Sequence, residues 1–385
     1  MDLHNTLSKK TVAIISYVST PIPIENLEEF LKLHAPEVIV VGHAFFFNVQ
    51  EGSFVRKWRH GTLTQSLSAH MTSRSELAYY LKTCWYTFRT LLRMPDTDIC
   101  IGLGNLPALL GIMLRFFGKT KQVVYYAIDF VPKRFPKPWL NTFYHSIDNF
   151  VIVHVDRIWN LSPRMIEMRE RKGIPVAMRA KQTTVPIGTN PGALRLPFNE
   201  IDSHAVVYVG HLRPLQGLEL LLDAWPKVLA SVPDARLILI GHGPLETLLR
   251  EKAMHRGISY AVEFKGFIKD QADVEQILAR CGLAVAPYMD SDDAFVRYTD
   301  PGKIKTYVSS DLPVVITDVP AVARELERAG CGVIVPYDPE AYAHTIARLL
   351  SDPIRLKEYR ARALQFAEQY RWDLIWTRAF ETMPS

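Results

Sequence analysis

The sequence predicts an α/β protein made of two doubly wound parallel-sheet domains that face a cleft. Short apolar runs alternate with amphipathic stretches of about 10–15 residues along both halves of the chain, as in βαβ units. A length of 385 residues suits two domains better than one. Glycine, proline and asparagine cluster at 187–197 (IGTNPGALRLP), which is the expected linker between the domains.

In the first half, apolar runs predict strands and amphipathic runs predict helices. The expected strands are 10–19, 37–42, 97–103, 122–128, 157–161 and 183–186. The expected helices are 26–34, 73–93, 107–117 and 162–172. Ser73 and Glu76 form a candidate capping box for helix 73–93. Residues 45–66 lack a clear periodicity and are expected to form a loop or an excursion from the regular alternation. The Gly-x-Gly at 102–104 has no third glycine in register, so it is weak evidence for dinucleotide binding.

In the second half, strands and helices alternate regularly. The expected strands are 204–210, 235–241, 261–265, 283–287, 312–317 and 332–336. The expected helices are 217–231, 244–255, 271–280, 301–310, 319–329, 338–350 and 353–370. This regular alternation predicts an open parallel sheet with helices on both faces.

The composition is that of a soluble globular protein, with 48% hydrophobic and 22% charged residues. No apolar run reaches the length of about 18 residues that would predict a membrane-spanning helix. The start of the chain, MDLHNTLSKK, lacks the apolar core of a secretory signal. Cys84, Cys100, Cys281 and Cys331 are scattered without metal-site spacing, which favours reduced thiols in a cytoplasmic protein.

Basic charge is concentrated in the first half of the chain. Residues 1–200 contain 24 Lys and Arg against 15 Asp and Glu, whereas residues 201–385 contain 21 against 25. Segment 130–144 (FVPKRFPKPWLNTFY) interleaves Lys133, Arg134 and Lys137 with aromatic residues, which predicts an anionic membrane surface or an anionic acceptor as its partner. An ordinary basic surface is the alternative. Nucleic acid is not an expected partner, because no recognisable binding module is present and the second half is acidic.

Segment 283–317 holds the strongest candidate for an anion site. A buried strand leads into a polar loop, and a helix is expected to start there with Asp300 as N-cap and Pro301 at its first position. Helix N-termini at strand ends bind phosphates. Glycines recur at three further strand ends of this half, at 210, 241–243 and 266. Together these turns predict a cavity of nucleotide size. In the first half, Asp129 ends a predicted strand, either as an acid/base candidate or as a turn residue.

From residue 207 to 367 the sequence resembles the nucleotide-sugar domain of retaining GT-B glycosyltransferases, specifically glycosyltransferase family 4. The matching motifs are VVYVGHLRPLQGLELLLDAW, ARLILIGHGPLETLL, VEFKGFI, LAVAPY, YTDPGKIKTYVSSDLPVV and CGVIVPYDPEAYAHTIARLLSD. The first half resembles the family over shorter pieces: YYAIDFVPKRF, IWNLSPRM and VPIGTN.

The resemblance implies two Rossmann-like domains in the GT-B arrangement. Residues 1–195 would bind the acceptor, residues 196–368 the nucleotide-sugar, and 369–385 would form a helix packing back on the first domain. The implied reaction moves a sugar from a UDP- or GDP-linked donor to a saccharide or lipid-linked acceptor, without a metal or other cofactor. Such a protein would be cytoplasmic, either soluble or peripheral on the inner face of the membrane.

The resemblance also implies which residues bind the donor. They are Gly210, His211, Arg213, Gln216, Gly241, Gly243, Gly266, Phe267, Ile268, Tyr288, Tyr298, Thr299, Asp300, Pro301, Gly302, Lys303 and Thr306. Lys303 is the expected counter-charge for the diphosphate.

The chain departs from the family at charged positions. His211 and Gln216 stand where the family usually has an arginine and a lysine that grip the diphosphate, and Arg213 can supply charge instead. Tyr298 and Thr306 stand where the family has paired glutamates. Further departures are Ile128, in place of a frequent histidine, and STPIPIEN, in place of a glycine turn.

These departures leave the mechanism open. In a retaining transfer the leaving phosphate itself takes the acceptor proton, whereas in an inverting transfer a carboxylate must take it, and Asp129 is the candidate. Two other classes also remain open: a UDP-sugar epimerase of the same fold, and a catalytically inactive nucleotide-sugar-binding subunit.

Overall fold

The structure is a computed structural model, and it describes residues 7–17, 23–46, 52–129, 131, 133–190, 194–291 and 295–384. The chain folds into two compact units. The first unit consists of Met1–Pro186 and Trp372–Ser385, and the second of Ile187–Arg371. Each unit has its own sheet with helices, so the predicted α/β class is confirmed.

The first unit alternates strands with helices. Its strands are β1 (Thr11–Ser16), β2 (Glu37–His43), β3 (Ser53–Arg59), β4 (Thr62–Ala69), β5 (Thr97–Leu103), β6 (Thr120–Ala127), β7 (Arg157–Asn160) and β8 (Gln182–Thr184). Its helices before the second unit are α1 (Ile24–His34), α2 (Glu76–Arg93), α3 (Asn105–Phe116), α4 (Pro138–His154) and α5 (Pro163–Arg171). The sheet order is β4-β3-β2-β1-β5-β6-β7-β8. Strands β2 to β4 pair antiparallel, and the other pairs are parallel.

The expectation of a loop at 45–66 is wrong from Ser53 onward, because β3 and the start of β4 form a hairpin there, whereas residues 47–51 lie outside the described residues. The hairpin turns at His60 and Gly61, whose φ values of 46° and 74° are both positive, as a tight hairpin turn of the primed type requires. Val55 is fully buried, and Trp58 Nε1 donates to Glu28 Oε1 at 2.6 Å. Most other side chains of the hairpin face solvent, so the apolar alternation of a half-buried strand is faint.

The structure of this unit differs from the sequence interpretation in two further places. Helix α2 begins at Glu76 with Ser75 at the N-cap, so Glu76 lies too early in the helix to complete a capping box with Ser73. The basic segment 130–144 runs into helix α4, which the sequence interpretation did not include. In that segment, residues 130 and 132 lie outside the described residues. Proline at 138 takes the first helical position, where its missing N–H carries no cost.

The second unit keeps the alternation that its sequence predicts. Its strands are β9 (Asp202–Val209), β10 (Arg236–Ile240), β11 (Val262–Gly266), β12 (Cys281–Ala286), β13 (Val314–Ile316) and β14 (Gly332–Ile334). Its helices are α6 (Leu218–Ser231), α7 (Glu246–His255), α8 (Gln271–Ala279), α9 (Gly302–Ser309), α10 (Val322–Ala329), α11 (Pro339–Leu350) and α12 (Pro353–Glu368). Helices α6 and α11 pack against each other over the sheet, where Trp225 and Ile346 are fully buried.

The second sheet is parallel throughout, in the order β11-β10-β9-β12-β13-β14. The chain moves outward from β9 to β11 and then returns to the other side of β9 with β12. In such doubly wound sheets, ligands bind beside the carboxyl ends of the strands at this reversal. The topology therefore directs attention to the turns after β9, β10 and β12.

The chain returns to the first unit through α13 (Trp372–Glu381). Trp376 of this helix is fully buried, with its ring centroid 5.9 Å from that of Tyr126 and 6.3 Å from that of Trp159. The first crossing comes earlier than the expected boundary at 195, because Ile187 and Thr189 already bond within the second unit. Among the described residues, no helix combines the length and apolarity needed to cross a bilayer.

Candidate functional site

Glycine turns lie side by side at the carboxyl edge of the second sheet. Gly210 follows β9, Gly241 follows β10, and Gly266 ends β11. The Gly210 N–H donates to Ile240 O at 2.9 Å, and the Gly241 N–H donates to Gly266 O at 2.8 Å. Gly241 has a φ of 133°, and a Cβ there would lie 2.0 Å from Gly210 O. Only glycine permits this approach of the two turns.

Leu212 holds the first turn against the second. Its N–H donates to His242 O at 3.0 Å, and its carbonyl accepts from the Leu245 N–H at 3.0 Å. Gly243 lies between these two partners, where the chain enters α7. The backbone of the two turns is thus fixed without help from a ligand.

An aromatic row lines the outer side of these turns. The ring centroids of His211 and His242 are 5.9 Å apart, and those of His242 and Phe267 are 5.4 Å apart, both edge to face. The Phe267 side chain is 67% exposed, and Ile268 after it is partly buried. An exposed ring beside a sheet edge offers a flat apolar face to a planar ligand.

The imidazole of His211 lies in a cationic environment. Partial burial, together with the neighbouring charges of Arg213, His242 and Lys303, lowers the pKa of His211 below its usual value. His211 is therefore neutral at physiological pH. It does not replace the charge of the arginine that the family carries at this position, whereas the exposed Arg213 two residues later remains available for that role.

Lys303 is the central cation of the site. Its Nζ donates to Tyr208 OH at 2.9 Å and to Gln216 Oε1 at 2.8 Å. It also lies 4.1 Å from the ring centroid of Tyr208 and 5.2 Å from that of Tyr288. Burial among these groups lowers the pKa of Lys303 to about 7. A Cβ at Gly210 would lie 2.8 Å from this Nζ, so the glycine turn leaves space for the ammonium group.

Gln216 and Tyr208 form a polar cradle for Lys303. The Gln216 Oε1 accepts from Lys303 and lies 3.0 Å from Tyr208 OH. The same hydroxyl lies 3.0 Å from His211 O, so its one hydrogen has two alternative acceptors. Gln216 therefore contacts the lysine that is expected to meet the phosphates.

The buried ring of Tyr288 lies beneath the ammonium group of Lys303. It is 2% exposed, and burial raises its pKa well above the usual value. Its hydroxyl finds no hydrogen-bond partner within the described part of the chain. Its carbonyl accepts from Thr317 Oγ1 at 2.7 Å, which ties the end of β12 to the end of β13.

The loop before α9 is built differently from the prediction. Helix α9 begins at Gly302, with Pro301 at the N-cap position and no side-chain cap. Asp300 is thus not the cap, and its buried carboxylate instead accepts from the Ile187 N–H at 2.8 Å. This burial directs the carboxylate away from an anionic ligand. No side chain caps the first turn of α9, and the amides of Gly302 and Lys303 are the donors such a ligand would meet.

Neutral groups flank the loop on both sides. The Tyr298 N–H donates to Phe295 O at 2.9 Å, and Thr299 Oγ1 lies 3.5 Å from Val296 O. Thr306 Oγ1 donates to Gly302 O at 3.3 Å, within its own helix. The Thr306 hydroxyl is partly exposed and keeps its lone pairs for a ligand hydroxyl.

Asp129, the acid/base candidate, belongs to the first unit. Its Oδ2 accepts from Arg134 Nη1 at 2.9 Å, and both side chains are partly exposed. The Arg134 guanidinium lies 5.3 Å from the ring centroid of Tyr144. One oxygen of the Asp129 carboxylate is therefore already engaged by a cation of its own unit.

Sequence reasoning missed Tyr208 and Tyr307. Tyr208 contacts both Lys303 and Gln216, and the Tyr307 hydroxyl accepts from the Val209 N–H at 2.7 Å. Both tyrosines are fully buried. For Tyr208, the available signal was a tyrosine inside the apolar run VVYV, two residues before Gly210. Among the described residues, no group of three or more His, Cys, Asp or Glu side chains is placed to hold a metal ion.

A comparison with known protein families supports the resemblance of the second unit's sequence to glycosyltransferases. Residues 203–352 match the model of the family described as glycosyl transferases group 1. These residues include the glycine turns, the cradle of Lys303 and helix α9.

Curated relatives match over about half of the chain. One is the GDP-mannose-dependent alpha-(1-6)-phosphatidylinositol dimannoside mannosyltransferase of Mycobacterium tuberculosis, 28% identical over 174 residues, which are 44% of this chain and 40% of the relative. Another is the phosphatidyl-myo-inositol mannosyltransferase of the same species, 24% identical over 208 residues, or 52% of each chain. The matched part thus spans roughly half the length of these relatives or less.

Solved structures match the fold over nearly the whole chain. Anabaena HepE in complex with UDP is 15% identical with a TM-score of 0.69, covering 97% of this chain and 99% of that one. Sucrose-phosphate synthase from Thermosynechococcus elongatus is 17% identical with a TM-score of 0.70, covering 97% and 98%. Both units therefore have the Rossmann-like fold of these structures. In sequence, the second unit is similar to the group 1 glycosyl transferases.

Proposed function

We propose that this protein is a glycosyltransferase that moves a sugar from a UDP- or GDP-linked donor to a saccharide or lipid-linked acceptor, in polysaccharide or glycolipid synthesis. The observation that carries the proposal is the position of Lys303. Its ammonium group lies in the first turn of α9, beside the Gly210 turn, at the reversal of strand order in the second sheet.

Breaking a glycosyl–phosphate bond places negative charge on the leaving diphosphate. Fixed donors and cations that stabilise this charge lower the barrier. Lys303, the first-turn amides of α9 and the exposed Arg213 supply such groups within the second unit. Because these groups perform the charge stabilisation that a divalent metal provides in other transferases, the proposed reaction is metal-independent.

The retaining course is the one we propose. In it the leaving phosphate takes the acceptor proton, and no carboxylate base is needed. The ion pair of Asp129 with Arg134 supports this proposal, since it occupies one oxygen of the carboxylate that would have to accept the acceptor proton. We propose that Asp129 contacts the acceptor instead. The anomeric configuration of the product tests this, and a β-linked product from an α-linked donor would assign Asp129 the role of base.

The donor proposal is tested by binding. Thermal-shift screening with UDP, GDP, ADP and their sugars should show stabilisation by one base class, because a ligand that binds only the folded state raises its stability. Lys303→Ala should weaken binding of that nucleotide by about 1.5–3 kcal/mol, the range for a charge-assisted contact. The matched control is Lys227→Ala, an exposed lysine near the far end of α6 that pairs with Glu340.

The outcomes separate the alternatives. If Lys303→Ala and Lys227→Ala lost the same amount of nucleotide affinity, Lys303 would not belong to the donor site. Tight binding without hydrolysis or transfer across a broad acceptor panel would identify an inactive binding subunit. Conversion of the free nucleotide-sugar into an epimer would identify an epimerase.

We also propose that the first unit attaches to an anionic membrane surface. On α4, Trp139, Phe143 and Phe150 repeat at helical spacing and are 63%, 58% and 46% exposed. Lys133 and Lys137, just before this helix, are exposed as well. The only acidic residue within α4, Asp148, is buried, so the outward side of the helix carries no negative charge.

The neighbouring helices α2 and α3 also expose large apolar side chains. Helix α3 packs against both α2 and α4. On α2, Leu77, Leu81 and Trp85 are each more than 60% exposed, and Phe116 at the end of α3 is 86% exposed. Apolar side chains bordered by lysine and arginine are typical of helices that lie on lipid headgroups.

Vesicle flotation tests this attachment. We expect binding to vesicles that contain anionic lipid, weakening with salt, and little binding to neutral vesicles. The double variant Trp139→Ser and Phe143→Ser should reduce binding to anionic vesicles at least fivefold. The control is Tyr260→Ser, at an aromatic residue of the second unit that is 77% exposed. Full recovery of the wild type in the soluble fraction at low salt, with no vesicle binding, would contradict the proposal.

A further inference from the structure

Asp300 and Lys305 form a buried ion pair directly beside the donor loop. Lys305 Nζ lies 3.2 Å from Asp300 Oδ1, and the two side chains are 1% and 5% exposed. Taking two charges out of water is costly, and breaking such a pair leaves one buried charge uncompensated. The pair therefore has one favourable arrangement and fixes the positions of the groups around it.

Both members of the pair contact the segments through which the chain enters and leaves the second unit. Asp300 Oδ2 accepts from the N–H of Ile187, the first residue of the unit, at 2.8 Å. Lys305 Nζ lies 3.5 Å from the ring centroid of Tyr370, one residue before the unit ends. The Tyr370 hydroxyl in turn donates to Glu325 Oε2 on α10.

The two crossing segments are also joined to each other. The Thr189 N–H donates to Tyr370 O at 2.7 Å, and Thr189 forms a parallel bridge with Arg371. A movement of one segment is therefore transmitted to the other. The buried pair contacts both segments on the side of the donor loop.

The donor loop is held from two directions. On one side, Lys303 bonds to Tyr208 and Gln216. On the other side, the Asp300 carboxylate accepts from the Ile187 N–H, and the Lys305 ammonium lies over the Tyr370 ring. A diphosphate that draws Lys303 away from its cradle would shift the first turn of α9, and with it the buried pair.

We propose that Asp300 and Lys305 are positioning residues that couple nucleotide occupancy of the 299–303 loop to the two crossing segments, 187–189 and 370–371. The inference rests on the proposed donor site and adds to it a route by which an occupied site is sensed where the chain changes units. Neither residue is expected to touch the nucleotide, although sequence reasoning placed Asp300 among the donor ligands.

Amide hydrogen exchange of the wild-type protein tests the coupling without any substitution. The N–H groups of Ile187 and Thr189 are direct reporters, because one bonds to Asp300 and the other to Tyr370. We expect saturating UDP or GDP, whichever stabilises the protein, to slow exchange at both amides at least threefold. Unchanged exchange at both amides, with the nucleotide bound, would overturn the coupling.

A charge-free variant separates positioning from a merely structural role. In the double variant D300N/K305M the nucleotide should bind within about threefold of the wild-type Kd, while the slowing of exchange at Thr189 is lost. The control K227M/E340Q removes an exposed ion pair of the same unit and should keep the slowing. Slowing that persists in D300N/K305M would exclude the pair as the route. If neither nucleotide binds the wild type, the donor site itself fails, and the coupling fails with it.

Discussion

The side-chain oxygen of Gln216 lies 2.8 Å from the ammonium nitrogen of Lys303. The family resemblance leads one to expect a lysine at position 216. A second ammonium at this distance would repel the first, whereas the amide oxygen accepts a hydrogen bond from it. Gln216 thus fits a site in which one cation, Lys303, is held in a polar cradle, and the two positions are best understood as a pair.

Replacing Gln216 with leucine should lower the free energy of unfolding by about 1–3 kcal/mol, because one hydrogen of the Lys303 ammonium loses its acceptor. Urea unfolding of the second unit measures the change. Gln271→Leu is the control: its exposed amide donates to Glu275 on the same helix, at 3.2 Å, and its loss should cost no more than about 0.5 kcal/mol. Equal losses in both variants would show that Gln216 does not support Lys303.

The affinity for a nucleotide-sugar should be highest below pH 7 and fall as the pH rises. The pKa of Lys303 is about 7 in the free protein, so the ammonium form that attracts a diphosphate is depleted above that value. Each pH unit above 7 should reduce the affinity by up to about tenfold, until the pKa of the bound state is passed. Titration calorimetry in buffers of different ionisation enthalpy should show proton uptake on binding at pH 8.

The groups that face Lys303 do not produce this dependence. The pKa of His211 is lowered, and those of Tyr208 and Tyr288 are raised by burial, so all three stay neutral from pH 7 to 9. Lys303→Met should therefore bind weakly and almost independently of pH. A variant that keeps the wild-type pH profile would assign the titration to another group.

The sequence predicted the second unit well because its sheet is parallel and buried on both faces. Every residue of β12 is buried, and such strands are continuous apolar runs in the sequence. The first unit was predicted less completely. The solvent-facing hairpin at β3 and β4 has a weak apolar pattern, and the basic segment before α4 obscured the start of that helix.

Individual site residues were harder to predict than the fold. Lys303 could be named from its place after Pro301 and Gly302, but its partners Tyr208 and Gln216 are 95 and 87 residues away in the sequence. Asp300 was assigned as a helix cap because its residue type fits that role. Its carboxylate is instead committed to Ile187 and Lys305, contacts that only the folded chain brings together.

Phe267→Ala should weaken nucleotide binding by about 1–3 kcal/mol, the range for loss of an aromatic face that stacks on a base. Phe267 is 67% exposed at the carboxyl end of β11, edge to face with His242. Tyr260→Ala is the matched control, since Tyr260 is 77% exposed before the other end of the same strand. Isothermal titration with the stabilising nucleotide measures both. Loss of affinity for a ribose-free diphosphate in Phe267→Ala would contradict a stacking role.

Trp376→Ala should destabilise the first unit by about 3–5 kcal/mol, the usual cost of removing a buried indole. The ring is fully buried and stacks on Trp372, with a centroid distance of 5.4 Å, beside Tyr126 and Trp159. Helix α13 thus fills a cavity that the chain before residue 187 leaves open. Native-state hydrogen exchange at the β6 amides measures the loss of stability within this unit. Leu374→Ala, on the same helix but 37% exposed, should cost about 1 kcal/mol or less. If Trp376→Ala and Leu374→Ala lowered the stability of the first unit equally, α13 would not be part of the core of that unit.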